Sequence, residues 1–433
     1  MMRSLTRVLL ISLLSGTSVQ AQPAAFGSAD DPSESPSRTR WRSSLDIELR
    51  GGFSLIGSSW RTAAGGTAEY FGPNLGLRLD GTLRGGVDGV YKPDVDGFYD
   101  VLRAIDFVRV TPEPAGVHLR AGPTNRMRLG TGHVVNFFSS ETVWDDRTVA
   151  MEAYWPGRVF DLAAFSDDVR INRVVGGRVV LRPLFWAREE RARSFEMGAS
   201  YVTDRREIDG RALLSSYSVD LRFTAANVGD IMLQPFAVFS AYENAGSGVG
   251  FGGEFASDNF IDIARFRVRL ALYLSSDEFI PGYVGSLYRV NNLDARILKS
   301  EDFEADSAGA VVGTPLTDAE SGTAFETEIR LLFFDQFELW YSFRRHFGGD
   351  PLSESHLRLF FRTGRIAAQI SQDRGGLRSF FSLFNDLGDQ TSLHFRTDYH
   401  VSGGLWIFVR AIYSYERGAR AADGSERYIV QRR

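Results

Sequence analysis

Along residues 265–274, RFRVRLALYL, the apolar side chains Phe266, Val268, Leu270, Leu272 and Leu274 alternate with Arg265, Arg267, Arg269, Ala271 and Tyr273. A period of two sends successive side chains to opposite faces of a sheet, so this stretch predicts a strand with one apolar and one cationic face. At the strand rise, ten residues are about enough to cross a bilayer when tilted. The pattern recurs. Tyr217, Val219, Leu221 and Phe223 alternate with Ser218, Asp220, Arg222 and Thr224. Leu393, Phe395, Thr397, Tyr399 and Val401 alternate with Ser392, His394, Arg396, Asp398 and His400. A membrane barrel with a polar lumen produces such alternation, and no helical period of comparable strength appears.

From residue 325 onward the sequence predicts a nearly continuous antiparallel meander, with strands at 325–334, 337–347, 355–363, 365–372, 377–384, 391–401, 405–417 and 425–433. Turn residues separate them, among them Asp335-Gln336, Gly364, the run 373–376 and Gly403-Gly404. Barrels alternate short turns with longer outer loops, and this set breaks that parity, which points to one miscounted strand. The N-terminal part predicts strands at 44–50, 74–83, 104–110, 117–121, 159–165, 174–182, 195–203, 217–224 and 232–242. Residues 122–155 and 295–323 lack alternation and read as outer loops or an inward-folded plug, at a length that argues for function or disorder. The expected fold class is all-β, one transmembrane antiparallel up-and-down β-barrel of about 16 to 20 strands.

The N-terminus changes the picture by giving a compartment. Arg3 and Arg7 precede an apolar run at 8–14 and then Val19-Gln20-Ala21, so 1–21 reads as a secretory signal peptide. Residues 22–42, rich in Pro, Ser and charge, predict a flexible lead-in, which leaves 43–433 for the barrel. No later apolar run reaches the ~20 residues of a spanning helix, which excludes a helical membrane protein. Hydrophobic residues at 43% and charged residues at 24% would suit a soluble chain, but a barrel spreads its apolar residues over alternate positions and reaches similar values. Aromatic residues at 13%, with 33 Phe and 15 Tyr, favour interfacial girdles and so the barrel. Lys92 and Lys299 are the only lysines; arginine supplies the other cations, as codon bias or a lumen that binds carboxylate or phosphate would require. With no cysteine, lipid attachment at a processed Cys is excluded.

Few constellations point to chemistry. Gly248, Gly250 and Gly253 match a dinucleotide fingerprint without the strand before and helix after it that the fingerprint needs, so they read as a hairpin bend. His394 and His400 share a strand face but stand ~20 Å apart, too far for one ion. His133 has Ser139 and Ser140 nearby in sequence, at no spacing that selects a nucleophile and its base. The acidic residues Glu301, Asp302, Glu304, Asp306, Asp318 and Glu320 lack the spacing of a calcium loop and read as a solvated outer loop. No catalytic residue, metal site or cofactor is expected.

The signal peptide, the amphipathic strands and the closing meander together resemble the porin-like outer-membrane β-barrels of Gram-negative bacteria. Those proteins commonly end in an aromatic residue, whereas this chain ends Tyr428-Ile429-Val430-Gln431-Arg432-Arg433. Either 425–433 closes the barrel with an atypical terminus, or 405–417 closes it and the rest is a tail. The resemblance implies the cell outer membrane and its lipid, the barrel-insertion machinery and small solutes as partners, with no nucleic acid, and it leaves homo-oligomerisation open.

The leading functional expectation is a channel for passive diffusion of small polar or anionic solutes, without enzymatic activity. Its lining is expected from Arg265, Arg267, Arg269, Arg222, Asp220, Glu326, Glu328, Arg358, His394, Arg396 and Asp398. Arginine rings favour anions, and the interspersed carboxylates turn part of that charge into a transverse field. A barrel filled by its own side chains or a plug, acting as an anchor or partner for another envelope protein, is the structural alternative. A soluble exported β-sandwich is the third.

Overall fold

The computed structural model describes residues 44–432 except 73, 96, 112–116, 144–146, 171–172, 209–210, 261–262, 292–315, 335, 348–352, 378–389, 403–404 and 418–427. The expected signal peptide and lead-in, and the acidic residues Glu301 to Asp306, lie outside that set.

One antiparallel sheet of 22 strands dominates. Its first part runs β1 (Ser44–Ile56), β2 (Ser59–Phe71), β3 (Leu75–Gly86), β4 (Gly89–Val90), β5 (Ile105–Val110), β6 (His118–Gly122), β7 (Ala150–Trp155) and β8 (Phe160–Ser166). It continues through β9 (Val174–Leu181), β10 (Glu196–Ile208), β11 (Arg211–Arg222), β12 (Ala226–Val228), β13 (Ile231–Tyr242), β14 (Ser247–Phe260) and β15 (Ala264–Ser275). The closing part is β16 (Gly322–Phe333), β17 (Phe337–Phe347), β18 (Ser353–Arg362), β19 (Ile366–Leu377), β20 (Thr391–Ser402), β21 (Leu405–Arg417) and β22 (Tyr428–Arg432).

The strand count exceeds the 16 to 20 expected, because strands β5 to β9 have only five to eight residues against the ~10 assumed. Two others are fragments: β4 folds back on the end of β3, and β12 extends the hairpin that β11 makes with β13. Otherwise each strand pairs with its neighbours in sequence, up and down. Among the described residues no ladder joins β1 to β21 or β22, so the sheet has two free edges.

Two sequence expectations need correction. The glycines Gly248, Gly250 and Gly253 lie inside β14 rather than in a bend. A side chain at Gly250 would sit 2.6 Å from the Tyr273 ring, so glycine makes room there for an aromatic packed flat on the wall. Similarly, 373–376 is no turn, because β19 runs to Leu377 and the Gly375-Gly376 pair accommodates the Gln390 side chain.

With these strands in place, the parity missing from the sequence reading appears. At one end the connections are short, seven residues or fewer, except for 182–195. At the other end lie the long ones, including 87–104, 123–149 and 276–321. The outer face carries exposed apolar residues at alternate positions, such as Leu270, Leu272 and Leu274 on β15 and Phe251 and Phe255 on β14. Their strand neighbours Arg269, Ala271 and Tyr273 are buried on the inner face.

Candidate functional site

Inside the sheet lie two segments from the long-loop end, residues 123–143 with 147–149, and residues 279–290. Their side chains are almost all buried, among them Met127, His133, Val135, Phe138, Ser140, Phe279, Val284 and Val290. The first segment contacts β7, β13, β16, β18 and β21: the Thr124 hydroxyl donates to Glu152 at 3.1 Å, Arg126 donates to the Leu357 carbonyl at 2.7 Å, and Val143 bridges Tyr415. Asp204 on β10 accepts from the Tyr288 hydroxyl of the second at 2.9 Å. A sheet that touches one segment from so many non-adjacent strands wraps around it.

The interior is divided by chemistry. Apolar residues of the segments, Met127, Leu129, Val134, Val135 and Phe138, pack with Phe165, Val174, Val202 and Leu214 from β8 to β11. Against β15 to β19 the contact is ionic, as it must be when arginine and carboxylate side chains leave water together. Glu326 is fully buried between Arg269 and Arg344, each within ion-pair distance. Those two guanidiniums then hold the segments: Arg269 donates to the Thr131 carbonyl, and Arg344 donates to the Pro281 carbonyl. One carboxylate on the wall thus organises the grip on both segments.

A second set lies beside it. Glu328 pairs with Arg128 of the first segment and accepts from the Trp340 indole at 2.8 Å. Three guanidiniums stand over the Trp340 ring, Arg126 at 5.6 Å, Arg330 at 4.9 Å and Arg358 at 5.0 Å, where the electron-rich ring face offsets some of the cost of burying them. His356 stacks on Phe137 at 4.1 Å, and its Nδ1 is hydrogen-bonded to the Asp373 carboxylate at 2.8 Å.

Glycines set the fit of the segments. Gly130 (φ +61°) and Gly282 (φ +67°) adopt left-handed backbone, and a side chain on either would strike Arg178 or Arg344 within 2.4 Å. Arg178 is itself held by Asp220 in a two-pronged pair, with one arm at 2.8 Å.

The expected lining residues therefore separate. Asp220, Arg269, Glu326, Glu328 and Arg358 are buried on the inner wall: Arg269, Glu326 and Glu328 contact the inward segments directly, whereas Asp220 holds Arg178 and Arg358 pairs with Glu338. Arg267 pairs with Glu254 at 3.1 Å, Arg265 is exposed, and Arg222 is half-buried. His394, Arg396 and Asp398 on β20 are all half-buried, with Arg396 paired to Asp398 at 2.9 Å. Sequence reasoning missed Arg126, Arg128, Trp340, Arg344 and Asp373, which lie outside the alternating runs it used or meet their partners only across 200 residues or more.

His133 finds a serine, but neither of the two nearby in sequence. Its Nδ1 lies 2.9 Å from the Ser240 hydroxyl, while its ring is stacked on Tyr273 and tilted against Phe279, at 5.0 and 5.1 Å. Burial, with Arg344 and Arg269 close by, lowers its pKa to about 3 and keeps it neutral. Ser140 instead accepts from the Thr124 backbone amide at 2.8 Å.

A polar gap of about 20 Å³ separates the first segment from β19 and β20, space on the order of one or two waters. Asn125, Ser139 and Glu141 line it on one side, and Ser371, Asp373 and His394 on the other.

The class of molecule these features define is an up-and-down β-sheet wrapped around inward-folded loops, apolar outside and part apolar, part ionic within. No protein-family model matches the chain, and no curated protein matches it. Among solved structures it is similar to OccD3 (OpdP) of Pseudomonas aeruginosa, with 10% identity, 90% of each chain covered and a TM-score of 0.31. Similar too is the outer membrane protein OprD of Pseudomonas aeruginosa, with 10% identity, 90% of this chain and 93% of that one covered, and a TM-score of 0.32. A third is Wzi of Escherichia coli, an outer membrane protein involved in group 1 capsule assembly and a carbohydrate-binding β-barrel, with 10% identity, coverage of 90% and 83%, and a TM-score of 0.35. These neighbours include Gram-negative outer-membrane porin-like β-barrels. At this identity and superposition none of them lends its activity to the chain.

Proposed function

We propose that the chain is an outer-membrane β-barrel acting as a porin-like channel, whose lumen is narrowed by two inward segments so that small polar or anionic solutes pass only on the β20 and β21 side, past the gap of one or two waters between the first segment and β19. The short-turn end faces the periplasm and the long loops face outward, as in barrels generally. The observation that carries this reading is the uneven filling of the interior. Glu326, Arg344 and Arg358 on β16 to β18 are sealed beneath the segments, whereas Arg396 and Asp398 on β20 keep about a quarter of their side-chain surface. Beside them, Arg50 of β1 holds Asp80 of β3 at 2.7 Å, and Arg410 of β21 lies within electrostatic reach of Arg50, Arg147, Arg396 and Asp80.

Arg396 and Arg410 sit directly opposite each other across β20 and β21. Arg50 and Arg147 stand with them against Asp80 and Asp398, while Glu141 and Asp373 face the gap beside His394, with Asp373 held by Arg126, so the arginine excess at β20 and β21 favours anions. His394, Arg396 and Asp398 line it, while Asp220, Arg269, Glu326, Glu328 and Arg358 fix the inner wall and the segments. No catalytic role is assigned. Outer-membrane lipid surrounds the apolar face, and the barrel-insertion machinery delivers the chain.

Planar-bilayer recordings test the reading. Small discrete steps with anion preference are expected, and neutralising Arg396 and Arg410 should move the reversal potential toward cations. A second reading, a plugged barrel serving as structural anchor or partner of another envelope protein, is favoured by the buried ion pairs that seal β15 to β18. Silence from protein confirmed as folded would select it.

A further inference from the structure

The one long connection at the short-turn end, 182–195, carries more arginines than any other turn there. Four exposed arginines, Arg158, Arg188, Arg191 and Arg193, gather at the ends of β7 to β10. The remaining turns at that end carry Glu113, Asp230, Asp262 and Asp335, with Arg365 as their one cation.

This connection is built onto the wall. Arg182 donates to the Gly157 carbonyl and to Asp161, both at 3.0 Å, and also to Glu196 at 3.0 Å. Ser194 accepts from the Thr224 backbone amide at 2.9 Å and donates to the Arg191 carbonyl at 2.7 Å. The result presents Trp186, 75% exposed, and Leu184, 46% exposed, with Phe185 set edge-on to the indole at 5.6 Å. Below them the outward faces of β7 to β9 show Trp155, Phe160 and Leu181, so the apolar surface continues into the band that faces lipid.

From this juxtaposition we propose that Leu184, Trp186, Arg188, Arg191 and Arg193 form a binding site for anionic phospholipid headgroups in the membrane leaflet at the short-turn end. An exposed indole beside the lipid band sits at headgroup depth, and arginines one turn further out meet the phosphates there. Glu189 and Glu190 lie between them in sequence and trim the attraction, leaving arginine in excess. The proposal rests on the membrane-barrel reading.

The full chain, refolded and placed in phosphatidylcholine nanodiscs, tests it with a minor fraction of lipid brominated near the top of its acyl chains. Subtracting a Trp186→Phe variant isolates the Trp186 fluorescence. Brominated phosphatidylglycerol should quench it more strongly than brominated phosphatidylcholine at equal content, by up to about fivefold per arginine at low salt. The triple variant Arg188→Gln, Arg191→Gln, Arg193→Gln should bring the ratio near one while its heat-modifiable gel mobility is kept. Equal quenching by both lipids in the unaltered chain, or a preference that survives the triple variant, overturns the site. No quenching by either lipid, from a chain that also fails to enter nanodiscs, overturns the barrel reading and the site with it.

Discussion

Replacing Glu326 by Gln removes the one charge that Arg269 and Arg344 share. Their side chains are 3% and 2% exposed, so neither can turn to water. Breaking a buried pair from one side costs about 3–5 kcal/mol. The amide keeps an oxygen that can accept one guanidinium bond, which places the expected loss near the lower end, about 3 kcal/mol. Urea unfolding of the refolded protein, followed by heat-modifiable gel mobility, reads this directly. With a denaturant slope of about 3 kcal/mol per molar, the midpoint should fall by roughly 1 M. Because Arg269 and Arg344 grip the Thr131 and Pro281 carbonyls, limited proteolysis should also cut both inward segments sooner. An unchanged midpoint with unchanged proteolysis would refute the reasoning that this carboxylate organises both contacts.

Further outcomes follow from the same interior. Gly282→Val forces a left-handed backbone onto a β-branched residue, at about 1–3 kcal/mol, and drives its Cβ into Arg344; a lowered unfolding midpoint checks it. Trp340→Ala removes the ring beneath three guanidiniums and the donor to Glu328, and should cost about 3–5 kcal/mol by the same assay. Asp167, in the connection after β8, is buried beside Asp204 and Asp168, and burial above all raises its pKa to about 6. The folded state then holds this proton more tightly than the unfolded chain, so its contribution to stability is present below about pH 4 and is lost as pH rises toward 6. Stability measured across pH 4 to 7 should therefore fall more in the unaltered protein than in Asp167→Asn, and parallel curves would contradict the shift.

Much of the sheet was legible because its outer face must be apolar and its inner face polar, a demand that writes itself into β15, β11 and β20 as strict alternation. It failed where small residues replace the signal. In β2 the run Ala63-Ala64-Gly65-Gly66 carries no contrast between faces, and in β14 glycines stand where Tyr273, Phe236 and Phe279 press against the wall. The inward segment was visible as the stretch lacking alternation, 122–155, although its last residues form β7. Its partners were not visible. Arg126 meets Leu357 and Arg128 meets Glu328 through the fold of the whole sheet, and no local period records such contacts. For the same reason the alternation placed Arg269, Glu326 and Glu328 on the inner face but could not tell that a segment would cover them.

The most direct measurement is single-channel conductance of the refolded chain in a planar bilayer, compared with the Glu326→Gln variant. An occluded barrel predicts small, anion-preferring steps that grow in size or frequency when the grip on the segments is weakened. Large steps in the unaltered protein, of the size an open lumen gives and unaffected by the variant, would contradict it.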